Sequence, residues 1–223
     1  MPNVDIVVAL RYPSTDPDWT RKCLLHGLFG LVPLIGPFAL FGWQRRIFDG
    51  ILAGGGETLP EPALMDEVRE GVPPVLAAMN LAVFALPMVF VALGVSLYTQ
   101  SMFDPGSEEE LNRMIGSMVF LVLGMQVVAV LVALLGQLTL PELLRRGFGG
   151  ETLPLFHPTD SLARARRAPM ALALTIFGML AANIIGSLGF YLCFVGGFLT
   201  VPYAGAAIAH LIAQWHRASE APA

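Results

Sequence analysis

Charge is what this sequence most lacks. Asp, Glu, Lys and Arg make up 13% of its 223 residues, about half of the roughly 25% that a soluble domain carries. The shortage is uneven: long stretches hold no charge at all, and the charges present cluster between apolar runs. Those runs bring the chain to 55% hydrophobic and a mean hydropathy of +0.67. This excludes an ordinary soluble domain and predicts an all-α, multi-pass transmembrane bundle of four or five spans, in a single membrane domain over 1–223. The runs are continuous rather than alternating over segments of about 10 residues. That excludes a transmembrane β-barrel and points to a prokaryotic cytoplasmic (inner) membrane.

Other absences narrow the class. No basic region leads into an apolar core near the start, where Asp5, Asp16 and Asp18 stand instead, so no signal peptide is expected. The two cysteines, Cys23 and Cys193, both fall in predicted membrane segments, which argues against a structural disulfide or a metal site. No His/Cys/carboxylate spacing suggests a metal. No serine has an identifiable partner base, and Gly54-Gly55-Gly56 lacks the lysine of a phosphate loop. The net charge of -4 argues mildly against nucleic acid. No predicted span carries Asp, Glu, Lys or Arg in its core, which counts against an ion-coupled transporter, a voltage sensor and an aspartyl intramembrane protease. The expectation is a non-enzymatic protein without cofactor or metal.

The chain that remains is punctuated by proline and glycine. Residues 3 to 11 form a short amphipathic piece at the interface, ended by Pro13. Asp16 is placed to cap the next helix with Pro17 in its first turn, and Trp19, Arg21 and Lys22 mark the headgroup level. From Cys23 to Trp43 two readings stand. The segment is either one span kinked at Gly30, Pro33, Gly36 and Pro37, or a re-entrant hairpin turning over Pro33 to Pro37. Either way the broken backbone needs neighbours or water to satisfy it, so it belongs inside the bundle.

After Pro62 a short surface helix is expected, with Ala63, Leu64 and Val68 on its apolar face, ended by Pro73-Pro74. Span two covers about 75–98, Asp104-Pro105-Gly106 turns, and Ser107 to Glu110 spells a capping box for span three, about 114–140. Asp160 caps a helix carrying Arg164, Arg166 and Arg167. The apolar stretch Ala168–Trp215 is too long for one span and divides into 169–190 and 195–215, with a turn near Gly189–Gly197. Gly178, Ala182 and Gly186 on the first and Gly205, Ala209 and Ala213 on the second recur every fourth residue. Small residues at that spacing predict a closely packed helical hairpin.

Arginine sets the orientation. The loops at 44–72 (Arg45, Arg46, Arg69) and 141–167 (Arg145, Arg146, Arg164, Arg166, Arg167) face the cytoplasm with the C-terminus, and the acidic loop at 99–113 faces out. Arg21 and Lys22 obey the rule only if residues 23–43 re-enter, which favours that form. The arginines Arg45, Arg46, Arg145, Arg146, Arg164, Arg166 and Arg167 are also placed to meet anionic lipid. His26, Asn80, Gln126, Asn183 and His210 are the main polar residues at membrane depth, and hydrogen bonds between helices are their expected role.

Ala9-Leu10-Arg11-Tyr12-Pro13, Asp16-Pro17-Asp18-Trp19, the Gly/Pro-broken segment ending at Arg45-Arg46, and the Gly-Glu-x-Leu-Pro-Glu at Gly56 to Glu61 stand together in the first seventy or so residues. In these the chain resembles an uncharacterised prokaryotic membrane family, domain of unknown function 4013; the tail Leu192–Arg217 is similar more weakly. Pro62 to Glu67 departs from that family's pattern, keeping its acidic residues but not its tryptophan. The resemblance implies a helical membrane protein and no particular activity.

Two internal echoes run through the chain. Gly55–Pro60 and Gly149–Pro154 are the same hexapeptide, each following an Arg-Arg pair, and Val-Pro-x-x-Gly occurs at Val32–Gly36 and Val201–Gly205. Recurring helix-stop chemistry accounts for the hexapeptide. A parallel pseudo-repeat of 23–98 and 114–190 is the other reading.

The function expected is a scaffold or accessory subunit acting through helix packing, as a homo-oligomer or part of a membrane complex. The alternative is a channel or facilitator-type permease whose path is lined by the broken segments at Pro33, Gly36 and Pro37 and at Pro202 and Gly205. Lipid handling by the basic face is a third.

Overall fold

A computed structural model of the chain describes residues 4–55, 58–79, 93–94, 108–151, 158–192 and 194–220. Among them every regular element is a helix. In chain order these are α1 (Ile6–Thr15), α2 (Trp19–Phe29), α3 (Ile35–Leu52), α4 (Leu64–Glu70), α5 (72–79), α6 (Glu108–Phe148), α7 (Pro158–Arg167), α8 (Pro169–Leu192) and α9 (Phe194–Glu220). Two of them, α8 and α9, are long and apolar enough to cross a membrane. The chain forms two compact units, Met1–Ala78 with Leu138–Ala223, and Met79–Gln137. In the second, the described part of α6 exposes Ile115, Val119, Phe120, Leu123 and Val127. Asn80, the 104–106 turn and Ser107 lie outside the described residues, as does most of span two.

The first unit is built on α9. Its Ala204, Ala206, Ala207, Ala209, Leu211, Ile212, Ala213 and Trp215 are all buried, which makes the middle of α9 the most covered helical stretch of the unit. α8 folds back along it as an antiparallel hairpin. Gly189 meets Gly196, Gly186 meets Thr200 and Ala204, and Gly178 meets Leu211. The Thr200 hydroxyl donates to Gly186 O at 2.8 Å, pinning the register. α1 runs against α9: Asp5 N–H donates to Gln214 Oε1 at 2.6 Å at one end and Tyr203 OH donates to Leu10 O at 2.7 Å at the other.

The broken segment resolves into two helices. The chain reverses over 30–34, so that α2 and α3 run in opposite senses along α9. Gly27 packs on the Phe198 backbone and Trp19 meets Tyr203 edge-on, while Gln44 lies on Gly205 and Arg217 donates to Ile51 O. At the turn Leu34 holds φ 69 and ψ -47, the centre of a tight γ-turn closed by Ile35 N–H on Pro33 O, a conformation uncommon outside glycine. Leu31, Val32, Leu34 and Ile35 are exposed there, whereas Gly36 is buried against Gly30.

Four local expectations change. Pro13 does not end α1. It sits buried in the last turn, where Ser14 and Thr15 hydroxyls donate to Arg11 O and Tyr12 O and satisfy the carbonyls left over. Asp16 does not occupy the N-cap of α2, which starts at Trp19 after Asp18. α4 turns Glu67 inward, not the apolar face of Ala63, Leu64 and Val68. Finally, Pro73-Pro74 opens α5 instead of ending a helix, since proline suits a first turn whose N–H groups are free anyway.

Candidate functional site

The polar residues around α2 converge on one buried cluster. Asp16, at the corner between α1 and α2, accepts three hydrogen bonds: from Asp18 N–H at 2.7 Å on Oδ1, and from Leu59 N–H at 2.8 Å and Lys22 Nζ at 2.9 Å on Oδ2. Lys22 is the chain's single lysine. It is buried, and also donates to Leu59 O at 2.6 Å and faces Glu61 at 3.1 Å. Burial alone would raise the Asp16 carboxyl, but the bonds from Lys22, Asp18 and Leu59 outweigh it and hold the group below its ordinary value. Burial opposes the Lys22 charge too, yet Asp16 and Glu61 hold its amine above the usual range. Nearby, burial and the Asp16 charge push the Tyr12 phenol up to about 12.

One turn further into α2, His26 and Glu67 meet with both side chains fully buried, Nε2 to Oε2 at 3.1 Å. The other ring nitrogen, Nδ1, faces Lys22 O at 2.8 Å and therefore donates to it. Glu67 Oε1 accepts from Ala63 N–H at 3.0 Å and from Arg46 at 3.3 Å. Trp43 stacks on the imidazole with ring centres 4.1 Å apart, and its indole N–H donates to Pro60 O. Two glycines allow this. A Cβ on Gly42 would lie 1.8 Å from Glu67 O, and one on Gly71 would lie 1.9 Å from Phe38 O. α4 is therefore pressed directly onto the backbone of α3, which carries Glu67 beneath His26.

The first copy of the repeated hexapeptide leads into this cluster. α3 ends with Gly54 at φ 82, Gly54 N–H on Ile51 O and Gly55 N–H on Gly50 O. α6 ends in the same way: Gly150 has φ 88, with its N–H on Gly147 O and that of Glu151 on Arg146 O. Both are Schellman stops. The left-handed glycine precedes the hexapeptide in the first copy and is its second residue in the other, so the shared letters do not sit at equivalent places on their helices. Residues 58–63 then run as the irregular segment whose Leu59, Pro60 and Glu61 carbonyls receive Lys22, Trp43 and Arg46.

A second buried carboxylate organises the other basic loop. Glu142 on α6 pairs with Arg145 at 2.8 Å, Arg164 at 3.3 Å and Arg146 at 3.4 Å. Arg45 packs its guanidinium over Gly150 and reaches Asp49 at 3.8 Å. Arg166 and Arg167, by contrast, are exposed. His210 bonds Gln214 at 2.9 Å and packs on Tyr12, and Gln126 is exposed on α6. Asn183, Gly186 and Gly205 line a cavity between α3, α8 and α9. Ala209 and Ala213 join the main core, and Ala182 packs with Ala204 and Ala207. Pro33 and Pro37 are exposed while Pro202 is buried, and neither Pro33 nor Pro202 lines that cavity.

Glu67, Glu142, Gly27 and Gly42 escaped the sequence reading. The one pointer was His26, an imidazole in a predicted membrane segment with no polar neighbour of its own there. The cluster's ionisable groups are occupied by one another, so it is built to hold α2, α3, the 58–63 segment and α4 together. Among the described residues no group of three or more His, Cys, Asp or Glu side chains is arranged to hold a metal ion. No protein-family model, no curated protein and no solved structure matches this chain.

Proposed function

We propose that this chain is a multi-pass integral membrane protein, akin to the family it resembles, that works by helix packing as a scaffold or accessory subunit. The observation that carries this reading is the outer face of α8. Met170, Ala173, Phe177, Leu180, Ile184, Leu188 and Tyr191 are exposed at spacings of three and four along the whole helix. At 1.5 Å per residue its 24 residues reach about 36 Å, enough to cross a hydrocarbon core of about 30 Å. A continuous apolar stripe of that length suits lipid or a partner helix at lipid depth. In the same reading α2, about 16 Å long, is too short to cross, and with α3 it forms a re-entrant hairpin whose exposed tip at Leu31–Ile35 enters the bilayer. The basic loops and the C-terminus then face the cytoplasm.

The self-paired polar cluster supports packing over transport, since its buried charged groups Asp16, Lys22 and Glu67 are all paired within it. The test is the assembly state of the full chain, extracted from native membranes in mild detergent and weighed by native mass spectrometry. A reproducible oligomer or a stoichiometric partner is expected. A lone monomer that carries a small solute across liposomes would replace this reading with the permease.

Anionic-lipid contact at α7 is a second reading. Arg145, Arg146 and Arg164 are turned toward Glu142, whereas Arg166 and Arg167 are exposed beside the apolar surface of Pro169 and Ala173. Replacing both with glutamine should weaken binding to phosphatidylglycerol vesicles and leave binding to neutral ones unchanged.

A further inference from the structure

The cavity between α3, α8 and α9 exists because small residues floor it. Ala204 and Gly205 of α9 and Gly186 of α8 leave a space of about 320 Å³, open to the surface and walled by Phe41, Leu144, Met179, Phe190 and Ile208. That is the size of a small ligand site. Among the described residues no Asp, Glu, Lys or Arg lines it. One polar side chain reaches it from within: Gln44 of α3 is 6% exposed, and its amide lies over Gly205, where an added Cβ would come within 2.5 Å of Nε2. Among the described residues that amide makes no hydrogen bond. The amide is not sealed in the core, where the side-chain atoms without partners are Trp215 Nε1 and His216 Nδ1; it faces the open cavity, with its hydrogen-bonding capacity available to whatever enters. Asn183 and Ser187 stand at the exposed α8 side of the opening, beside Ile184 and Leu188.

We infer that this cavity binds an uncharged lipid, with an acyl chain along the apolar walls and an ester carbonyl or hydroxyl bonded to the Gln44 amide. The absence of lining charge disfavours an ionised headgroup, whose desolvation nothing there would offset. The unpaired amide selects a chain that carries one hydrogen-bonding group over a plain hydrocarbon. The opening beside the outer face of α8 admits the ligand sideways from the bilayer. This rests on the membrane placement proposed above, and the site is separate from the His26–Glu67 cluster.

The probe is a diacylglycerol with a photoactivatable diazirine in one acyl chain, mixed with the purified full-length protein in detergent and mapped by peptide sequencing after irradiation. Labels are expected on the cavity walls in α3, α8 and α9, displaced by unlabelled diacylglycerol and not by equal phosphatidylglycerol. Gln44→Leu, which keeps the shape and removes the amide, should weaken the displacing diacylglycerol about fivefold to tenfold, the value of one hydrogen bond. Its melting temperature should be unchanged or higher. Asn183→Trp, at the exposed opening, should block wall labelling independently. Labelling confined to the outer α8 residues Phe177 and Tyr191 would overturn the inference and leave the membrane reading standing. Protein that stays soluble without detergent and takes no label would overturn both. Equal labelling in wild type and Gln44→Leu, or a disulfide joining two copies through Asn183→Cys that excludes the probe, would also overturn it.

Discussion

His26 and Glu67 stand 41 positions apart in the chain and 3.1 Å apart in space, both side chains sealed from solvent. Their contact ties α4 beneath the α2–α3 hairpin, and Arg46 and the Ala63 amide complete the carboxylate's shell. Removing one partner leaves the other buried and uncompensated, whereas replacing both by apolar groups is often close to neutral. Glu67→Ala should therefore destabilise the protein by about 3 to 5 kcal/mol. Glu67→Gln, which keeps hydrogen-bonding capacity, should cost less. A His26→Leu/Glu67→Met pair should recover most of the loss. Thermal unfolding of the detergent-solubilised variants reads all three, and simple additivity of the two single changes would refute the coupling.

The Asp16–Lys22 pair predicts a particular pH profile. A carboxyl whose folded value is lowered adds stability above its unfolded value of about 3.9, lost as pH falls through the folded value. An amine whose folded value is raised adds stability that is full below its unfolded value of about 10.4 and is lost as pH rises through the folded one. Their joint contribution should be flat between about pH 5 and pH 9 and fall away outside. Asp16→Asn should lower stability at pH 7 by about 1.5 to 3 kcal/mol, the range for hydrogen bonds to charged groups. The gap to wild type should narrow below pH 4. A gap that widens in acid would contradict the assignment.

Gly27 and Gly42 are places where backbone touches backbone. A Cβ on either would lie 1.8 Å from a carbonyl oxygen, of Phe198 and Glu67 respectively, and neither oxygen sits on a flexible side-chain end. Gly27→Ala and Gly42→Ala should each cost at least 1 to 3 kcal/mol, as overpacking does. Gly50→Ala, which meets nothing within 4 Å, should be neutral or stabilising because alanine suits a helix better. Equal effects at the three positions would show that the close approaches do not matter.

The reversal at 30–34 fixes a labelling result. With α2 and α3 running oppositely, Thr20 and Asp49 emerge on one side of the membrane under the proposed placement. Cysteines at these two positions, in a background lacking the native ones, should react with an impermeant thiol reagent from the same side. Reaction from opposite sides would mean that residues 23–43 cross.

The elements governed by local rules were legible in the sequence. The division of 168–215 followed from length and from the glycines near 189–197, and α8 and α9 lie back to back with Gly189 against Gly196. Small residues every fourth position marked the face of α8 that meets α9, because backbone approach is a short-range matter, but on α9 they meet Thr200, Ala204, Ala207 and Leu211, while Gly205 of the expected α9 set faces Gln44 of α3. The break over 30–34 was visible in its prolines and glycines, although they left open whether the chain bends or reverses. What stayed hidden was which polar residues would pair. Glu67 read as one acid among several in a polar loop. Its burial depends on Gly42 and Gly71 letting α4 lie flat on α3, a tertiary fact with no periodicity of its own. Glu142 was hidden for the same reason: three arginines from two helices reach it, and their identities alone suggested a lipid-facing surface.

The central place of α9, against which α1, α2, α3 and α8 all pack, has a consequence for how the protein is made. The ribosome finishes α1, α2, α3 and α8 before the helix that all four lean on. Until then, Gly27 and Gln44 have no Phe198 or Gly205 to rest against, and the small-residue face of α8 meets only its surroundings. Assembly of the first unit is thus held back until the last helix arrives, and a chain stalled before position 194 carries its apolar seams open. Such a nascent chain is a natural client for chaperones and quality-control proteases, which act on exposed seams of this kind.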